Sequence, residues 1–220
     1  LYEPWYVSWS PNGQYVLTVV EQTPASPGEP HIEIYEKVGN QLTKVADYDL
    51  ETSTPAGIGE VRETEWSPDG RYIAVSTHTE NAGLNVQLLT FNGGSISLLD
   101  TIDVGDGASV VYSLDWSPNG DYLAIGGSGF ASGDEIEIHA FDKTNQVFGA
   151  KVDGAAIGSV WSIHWNPDGK YIAVGEYSAP QKTRLFYFNG TTLVLKDTVG
   201  YTGDAGGDDT GEVRWEPTGR

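Results

Sequence analysis

The chain of 220 residues has no cysteine, which removes a disulfide framework, a thiol nucleophile and a thiolate metal site together. It is also short of cations: 12 Lys and Arg stand against 31 Asp and Glu, a net charge of -19. Such a surface repels phosphate backbones and anionic lipid heads, so nucleic acid and membrane insertion are poor expectations for partners. No apolar run approaches the roughly 20 residues that cross a bilayer, and no signal or transit peptide is visible after Leu1. Nor does any segment keep apolar residues at helical spacing over more than a turn, so helix content is expected to be near nil. The acidity and the missing thiols lean toward an extracellular or envelope setting; solubility is the plainer reading of the charge. With 39% hydrophobic residues the chain can still bury a sizeable core.

What fills the sequence is one phrase. "WSPNGQYVLTVV" starts at Trp9 and returns as "WSPDGRYIAVST" at Trp66, "WSPNGDYLAIGG" at Trp116 and "WNPDGKYIAVGE" at Trp165, with a clipped "WEPTGR" at Trp215. The tryptophans step by 57, 50, 49 and 50 residues, a period that signals a propeller or solenoid. Short alternating runs end at each of them ("RETEW", "YSLDW", "WSIHW"), a strand signal. Pro then presets φ for a tight turn, Asn or Asp suits its second position, and Gly takes the left-handed slot. A second strand ("YIAV"), a third ("EIEIHAF") and a fourth ("SISLLDTID") complete each period, with "FNGG" and "FNGT" marking Asn-Gly hairpins.

Four antiparallel strands, a to d, in about 50 residues make one blade of an all-β propeller. A lone blade exposes two apolar faces, and stacking blades buries them. The expected blades are roughly 1–53, 54–104, 105–153 and 154–203, in a single body over 1–220 with a partial fifth blade at 204–220. That fifth piece supplies one more innermost strand at Glu212–Trp215, so a larger ring is expected, with closure by strands of another chain as the alternative. The start at Leu1 inside a repeat agrees with a piece of a longer chain. Trp9, Trp66, Trp116, Trp165 and Trp215 are expected as inter-blade core. Each buries about 150–250 Å², or at most roughly 4–6 kcal/mol.

The "WSPDG" and "YIAV" phrases resemble the WD-repeat and TolB-type propellers, in which "SPDG" follows the innermost strand. The resemblance covers nearly the whole chain and implies the propeller fold. No Gly-His opens a blade and no Trp-Asp ends a third strand, so that family's hydrogen-bond tetrad is not carried over; the chain reads as a divergent member.

Function is expected where the repeat breaks down. Loops a–b and c–d are short turns, whereas loops b–c ("EQTPASPGEP", "THTENAGL", "GSGFASGD", "YSAPQKT") and d–a ("ETSTPAGIGE", "VGDGAS", "DGAAIG", "GYTGDAGGDDTG") are long and dissimilar, as on a binding face. Four residues before the signature tryptophans stand Trp5, Arg62, Tyr112, Trp161 and Gly211. The first four are expected to bind ligand at the channel mouth by stacking on a sugar, a peptide aromatic or another planar group. Directly before the tryptophans stand Ser8, Glu65, Asp115, His164 and Arg214, of which Asp115, His164 and Arg214 are expected to pair between blades. A catalytic alternative takes His164 as base, Asp115 as its orienting acid and Ser113 or Ser162 as nucleophile. His31, His78 and His139 lack metal-ligand spacing and are expected at the surface or at edges.

The remaining motifs are sparse. There is no G-x-S-x-G, H-E-x-x-H, P-loop or Rossmann fingerprint. Asp204, Asp208, Asp209 and Glu212 offer a weak Ca²⁺ site without the D-x-D-x-D-G order, and Asn189-Gly190-Thr191 is a sequon that also suits a hairpin turn. The leading expectation is therefore a non-catalytic scaffold without cofactor, binding a protein, peptide or glycan through the long-loop face. The alternatives are a propeller of a secreted hydrolase or lactonase-like enzyme, and a structural subunit that self-assembles through its unpaired inner strand.

Overall fold

The computed structural model describes residues 4–20, 31–50, 61–77, 85–105, 109–177, 182–200 and 212–216, with Pro4 and Trp5 described by their backbone. The described residues hold no helix and four antiparallel sheets of four strands each. They fall into two compact units, Leu1–Gly107 and Ala108–Arg220. In the first unit, blade 1 is β1 (Pro4–Trp9), β2 (Tyr15–Val20), β3 (Ile32–Val38) and β4 (Gln41–Tyr48), and blade 2 is β5 (Val61–Trp66), β6 (Tyr72–Thr77), β7 (Val86–Phe91) and β8 (Ile96–Ile102). In the second unit, blade 3 is β9 (Val110–Trp116), β10 (Tyr122–Ser128), β11 (Ile136–Asp142) and β12 (Val147–Ala155). Blade 4 is β13 (Val160–Trp165), β14 (Tyr171–Glu176), β15 (Lys182–Phe188) and β16 (Leu193–Gly200). Every sheet pairs its strands in chain order, so each blade forms locally from successive hairpins.

The repeated turn explains why the phrase is spelled so consistently. In blade 2 the Ser67 hydroxyl donates to Asp69 Oδ1 (2.7 Å) and accepts the Tyr72 amide (2.9 Å), while Gly70 N–H closes the turn on Ser67 O (2.8 Å). Ser10 and Ser117 repeat this geometry, and Asn166 replaces the hydroxyl with an amide oxygen that accepts the Tyr171 amide at 2.9 Å. The turn glycines Gly13, Gly70, Gly120 and Gly169 sit at φ between +68° and +72°, the left-handed region that a Cβ makes costly.

Each unit joins its two blades through a three-ring contact. In the first, Phe91 meets Trp66 of its own blade edge-on at 5.8 Å and Tyr15 of blade 1 at 4.9 Å. In the second, Phe188 meets Trp165 at 5.5 Å and Tyr122 of blade 3 at 5.0 Å. The Tyr122 hydroxyl reaches past Phe188 to donate to Gly190 O, 3.2 Å away in the Asn189-Gly190 turn. Leu17, Ile34, Ile73 and Leu89 fill the first unit's core around these rings, and Ile138, Ile163, Ile172 and Phe186 fill the second's.

Trp66, Trp116 and Trp165 are buried as expected, but Trp9 is 55% exposed and Trp215 half-buried. The register supplies a reason for Trp9. Phe91, Phe141 and Phe188 each donate their amide to the residue after a turn glycine (Arg71, Asp121, Lys170); in blade 1 that place belongs to Lys37, bonded to Gln14 O. Trp9 thus lacks the ring that seats the other tryptophans. The expected fifth inner strand also differs: Glu212–Glu216 forms no strand, because it finds no ladder partner among the described residues. It is held beside β13 by Val213 N–H on Ser162 Oγ (3.1 Å) and Trp215 Nε1 on His164 O (2.9 Å). His31 and His139 are buried, not superficial, each beside a carboxylate: Asp49 at 3.3 Å and Glu137 at 2.8 Å. His78 lies outside the described residues.

Candidate functional site: bulged inner strands and the seam between blades 3 and 4

The inner strand of every blade carries a β-bulge at the same place. The register slips between Pro4 and Tyr6, between Val61 and Glu63, between Val111 and Ser113, and between Val160 and Ser162. The residues that the ladder register skips are therefore Trp5, Arg62, Tyr112 and Trp161, the four expected ligand contacts. A bulge takes a residue out of the pleat's alternation and re-aims its side chain, which is why bulges gather beside functional sites. Arg62 is exposed and belongs to the first unit; the side chain of Trp5 lies outside the described residues.

In the second unit the bulges build an aromatic stack. Tyr112 lies on Trp161 with ring centroids 5.0 Å apart and planes at 25°, and Trp161 lies on Tyr177 at 5.3 Å and 31°. Trp161 is 37% and Tyr177 49% exposed. Tyr177 escaped the sequence reading because it is the first residue of a b–c loop, outside the repeat. The available signal was a ring directly after Glu176, the residue whose Cα partner is Val160 at the edge of the bulge.

Three residues along the same strands runs the seam. Because β13 is an edge strand, its outward amides need acceptors, and blade 3 provides them. Ile163 N–H donates to Ser113 Oγ at 3.1 Å, and Trp165 N–H donates to Asp115 Oδ2 at 2.5 Å. Ser162 Oγ accepts Val213 N–H in the same way. Ser113 and Ser162 are buried, and each hydroxyl oxygen accepts one of these amides. His164 Nδ1 lies 3.7 Å from Asp115 Oδ2, an ion-pair approach longer than a hydrogen bond, and their side chains are 14% and 16% exposed. Burial pushes the Asp115 carboxyl above its ordinary value, against the opposing pull of His164, the Trp165 amide and Arg214. Arg214 is exposed and pairs with Glu212.

Among the described residues no group of three or more His, Cys, Asp or Glu is placed to hold a metal ion. Asp204, Asp208 and Asp209 of the weak Ca²⁺ motif lie outside them. So do most of the long loops: 21–30, 51–60, 78–84, 106–108, 178–181 and 201–211.

The WD40 family (WD domain, G-beta repeat) matches residues 98–133 and 151–185, windows that each run from an outer strand through the next a–b hairpin. No curated protein matches the chain. Among solved structures, the chain is similar to a putative 6-phosphogluconolactonase from Bacteroides uniformis, 20% identical, TM-score 0.68, over 88% of this chain and 54% of that one. It is similar to a periplasmic gluconolactonase from Pseudomonas aeruginosa, 17% identical, TM-score 0.72, over 99% of this chain and 63% of that one. A Lactobacillus plantarum protein follows at 13% identity and TM-score 0.65, over 90% and 55%. The chain thus spans between 54% and 63% of the length of these structures. The fold is an all-β propeller of four-stranded blades.

These likenesses correct the expectation of a non-catalytic scaffold, since two of the three similar propellers are named as lactonases. The physical reason is instructive. A propeller assembles its chemistry from strand ends on separate blades, so an empty list of local catalytic motifs does not argue against an enzyme.

Proposed function

We propose that this all-β propeller, which the WD40 family matches over residues 98–133 and 151–185, belongs to a lactonase-like hydrolase that opens a cyclic ester with water. The observation that carries this reading is the Asp115–His164 pair, set across two inner strands and still reached by solvent. The neighbours' lactonase names support the reaction class.

The chemistry needs little. Asp115 beside Nδ1 favours the tautomer with its proton there, which leaves Nε2 of His164 as the acceptor. Nε2 takes a proton from water as the water oxygen bonds to the lactone carbonyl carbon. The ring C–O bond then breaks, and the same proton passes to the departing ring oxygen, giving a hydroxy acid. At 3.7 Å the pair is an ion-pair approach, and this step requires it to close to hydrogen-bond reach. The same reading puts the protein at the cell envelope or outside the cell, supported by the periplasmic setting named for one neighbour; cell fractionation tests it.

Acid release from glucono-1,5-lactone at pH 7, measured against spontaneous hydrolysis, tests the reaction. His164→Asn is expected to lower kcat at least about 10²-fold, the usual loss of a general base, with an unchanged far-UV spectrum. A wild-type rate equal to the spontaneous one defeats the proposal.

A further inference from the structure

The stack of Tyr112, Trp161 and Tyr177 does nothing for the seam, and its rings are left in water where burial is worth about 25 cal/mol per Å². Its base is rigid all the same. Tyr177 N–H donates to Ser159 O (2.8 Å), Gly158 N–H donates to Glu176 Oε1 (2.9 Å), and Arg184 Nε lies 3.0 Å from that same carboxylate oxygen. Residues 158–159 lead straight into the bulge, so the bonds of Glu176 and Tyr177 hold Trp161 in its stacking position. Among the described residues the ring contacts of Tyr177 end at Trp161, and Tyr177 is the most exposed ring of the three.

Three features select the occupant. A net charge of -19 disfavours nucleotides and other anions. The outward amides of Ile163 and Trp165 are already bonded to Ser113 and Asp115, so a peptide cannot add to β13 as an extra strand through those amides. Two phenols and an indole N–H combine an apolar face with polar tips, which matches a ring having a C–H face and hydroxyls around its rim. Trp161 also stands three residues before His164, about 10 Å along the strand, farther than one six-membered ring reaches.

We propose that this stack docks the remote sugar ring of a two-ring substrate, a glycosyl lactone whose lactone ring then lies at His164. That the docked ligand is hydrolysed rests on the lactonase reading; the docking itself rests on the stack. Binding energy from the remote ring lowers the barrier at the reacting ring, so Tyr177 and Trp161 determine specificity without touching the reacting atoms.

Two measurements separate the ideas. With cellobiono-1,5-lactone and glucono-1,5-lactone as substrates, the wild type is expected to prefer the two-ring compound at least tenfold in kcat/KM. Tyr177→Ala is expected to bring that preference within twofold, while His164→Asn lowers both rates. Titration with cellobiose, followed by tryptophan fluorescence, is expected to saturate and to weaken at least tenfold in Tyr177→Ala and in Trp161→Ala, but not in His164→Asn. Saturation by cellobiose without turnover of either lactone leaves the docking standing and removes the hydrolase. Failure of cellobiose to saturate, or a preference and affinity unchanged in Tyr177→Ala, overturns the docking.

Discussion

Replacing Phe188 with Ala tests the claim that the three-ring contact holds neighbouring blades together. Phe188 is buried, edge-on to both Trp165 at 5.5 Å and Tyr122 at 5.0 Å, with interplanar angles of 78° for each. Truncating a buried Phe costs about 3–5 kcal/mol, transfer and cavity together. Each lost edge-on pair contributes about 0.5–1.5 kcal/mol within that total. Tyr122→Phe is the discriminating control, since it keeps the ring contact and removes only the bond to Gly190 O, worth about 0.5–1.5 kcal/mol. Urea unfolding followed by tryptophan fluorescence gives both values, and a double-mutant cycle of Phe188→Ala with Tyr122→Ala isolates the pair that crosses from blade 4 to blade 3. The expected order is a loss several times larger for Phe188→Ala than for Tyr122→Phe, with coupling near 1 kcal/mol. If Phe188→Ala costs under about 1 kcal/mol, or the cycle shows no coupling, the rings are merely adjacent and the account of blade stacking fails.

Other expectations follow from the same geometry. Lys37→Phe restores the ring that Trp9 lacks and is expected to stabilise by up to about 1 kcal/mol, with a blue shift of tryptophan emission as its readout. Gly70→Ala, at φ +70°, is expected to cost roughly 1–2 kcal/mol, whereas Gly94→Ala meets open space at no positive φ and is expected to be neutral or slightly stabilising; chemical denaturation compares them. Arg184→Met strips a fully buried Glu176 of its cation and is expected to cost about 3–5 kcal/mol, which melting curves measure. Two carboxyls give opposite pH slopes. Although burial opposes it, His139, Ser132 and Lys151 hold Glu137 below its ordinary 4.5, so its stabilisation is present above that value and lost as pH falls through the depressed one. Asp115 lies above its ordinary 3.8, so its contribution is present below 3.8 and lost as pH rises through the elevated value. Stability measured from pH 3 to 7 is expected to lose the first slope in Glu137→Gln and the second in Asp115→Asn.

The blade was legible because its signals are local. The Trp-to-Trp period, the Pro-Asn/Asp-Gly turn and the Asn-Gly hairpins each act within a few residues, and the structure puts a strand or a turn at every full copy. What escaped depends on registers that differ between copies. Lys37 occupies the place of Phe91 and Phe188 only after β3 is aligned on β2 through the Gln14 bond, and without that alignment Trp9 reads like its equivalents. His31 read as an edge residue because its acid partner Asp49 is recognisable only once the neighbouring strands are paired, whereas Glu137 stands two residues before His139 on β11 and was within reach of the period-2 pattern. The bulge was half-visible. The position four before each tryptophan stood out by its residue types, but the slipped register that re-aims Tyr112 and Trp161, and sets Tyr177 against Trp161, is a property of paired strands.

On the lactonase reading proposed above, one strand carries both the fold and a reaction. An inner strand pairs on one side only, and its outward amides would otherwise offer a template for another chain. Short oxygen-bearing side chains of the preceding blade, Ser113 and Asp115, accept those amides from Ile163 and Trp165, and Ser162 extends the pattern to Val213. Acceptance is complete with hydroxyls and a carboxylate, so the imidazole of His164 is not needed as an acceptor for these amides. It keeps an ion-pair distance from Asp115 and partial access to water. A base that the fold does not consume, on a strand whose neighbours are fixed by that same fold, is what a hydrolytic site requires. Replacing Ser113 with Ala is therefore expected to weaken the seam and leave the pH dependence of lactone hydrolysis unchanged, whereas Asp115→Asn is expected to shift it. If both substitutions move the profile equally, capping and catalysis are not separate tasks on this strand.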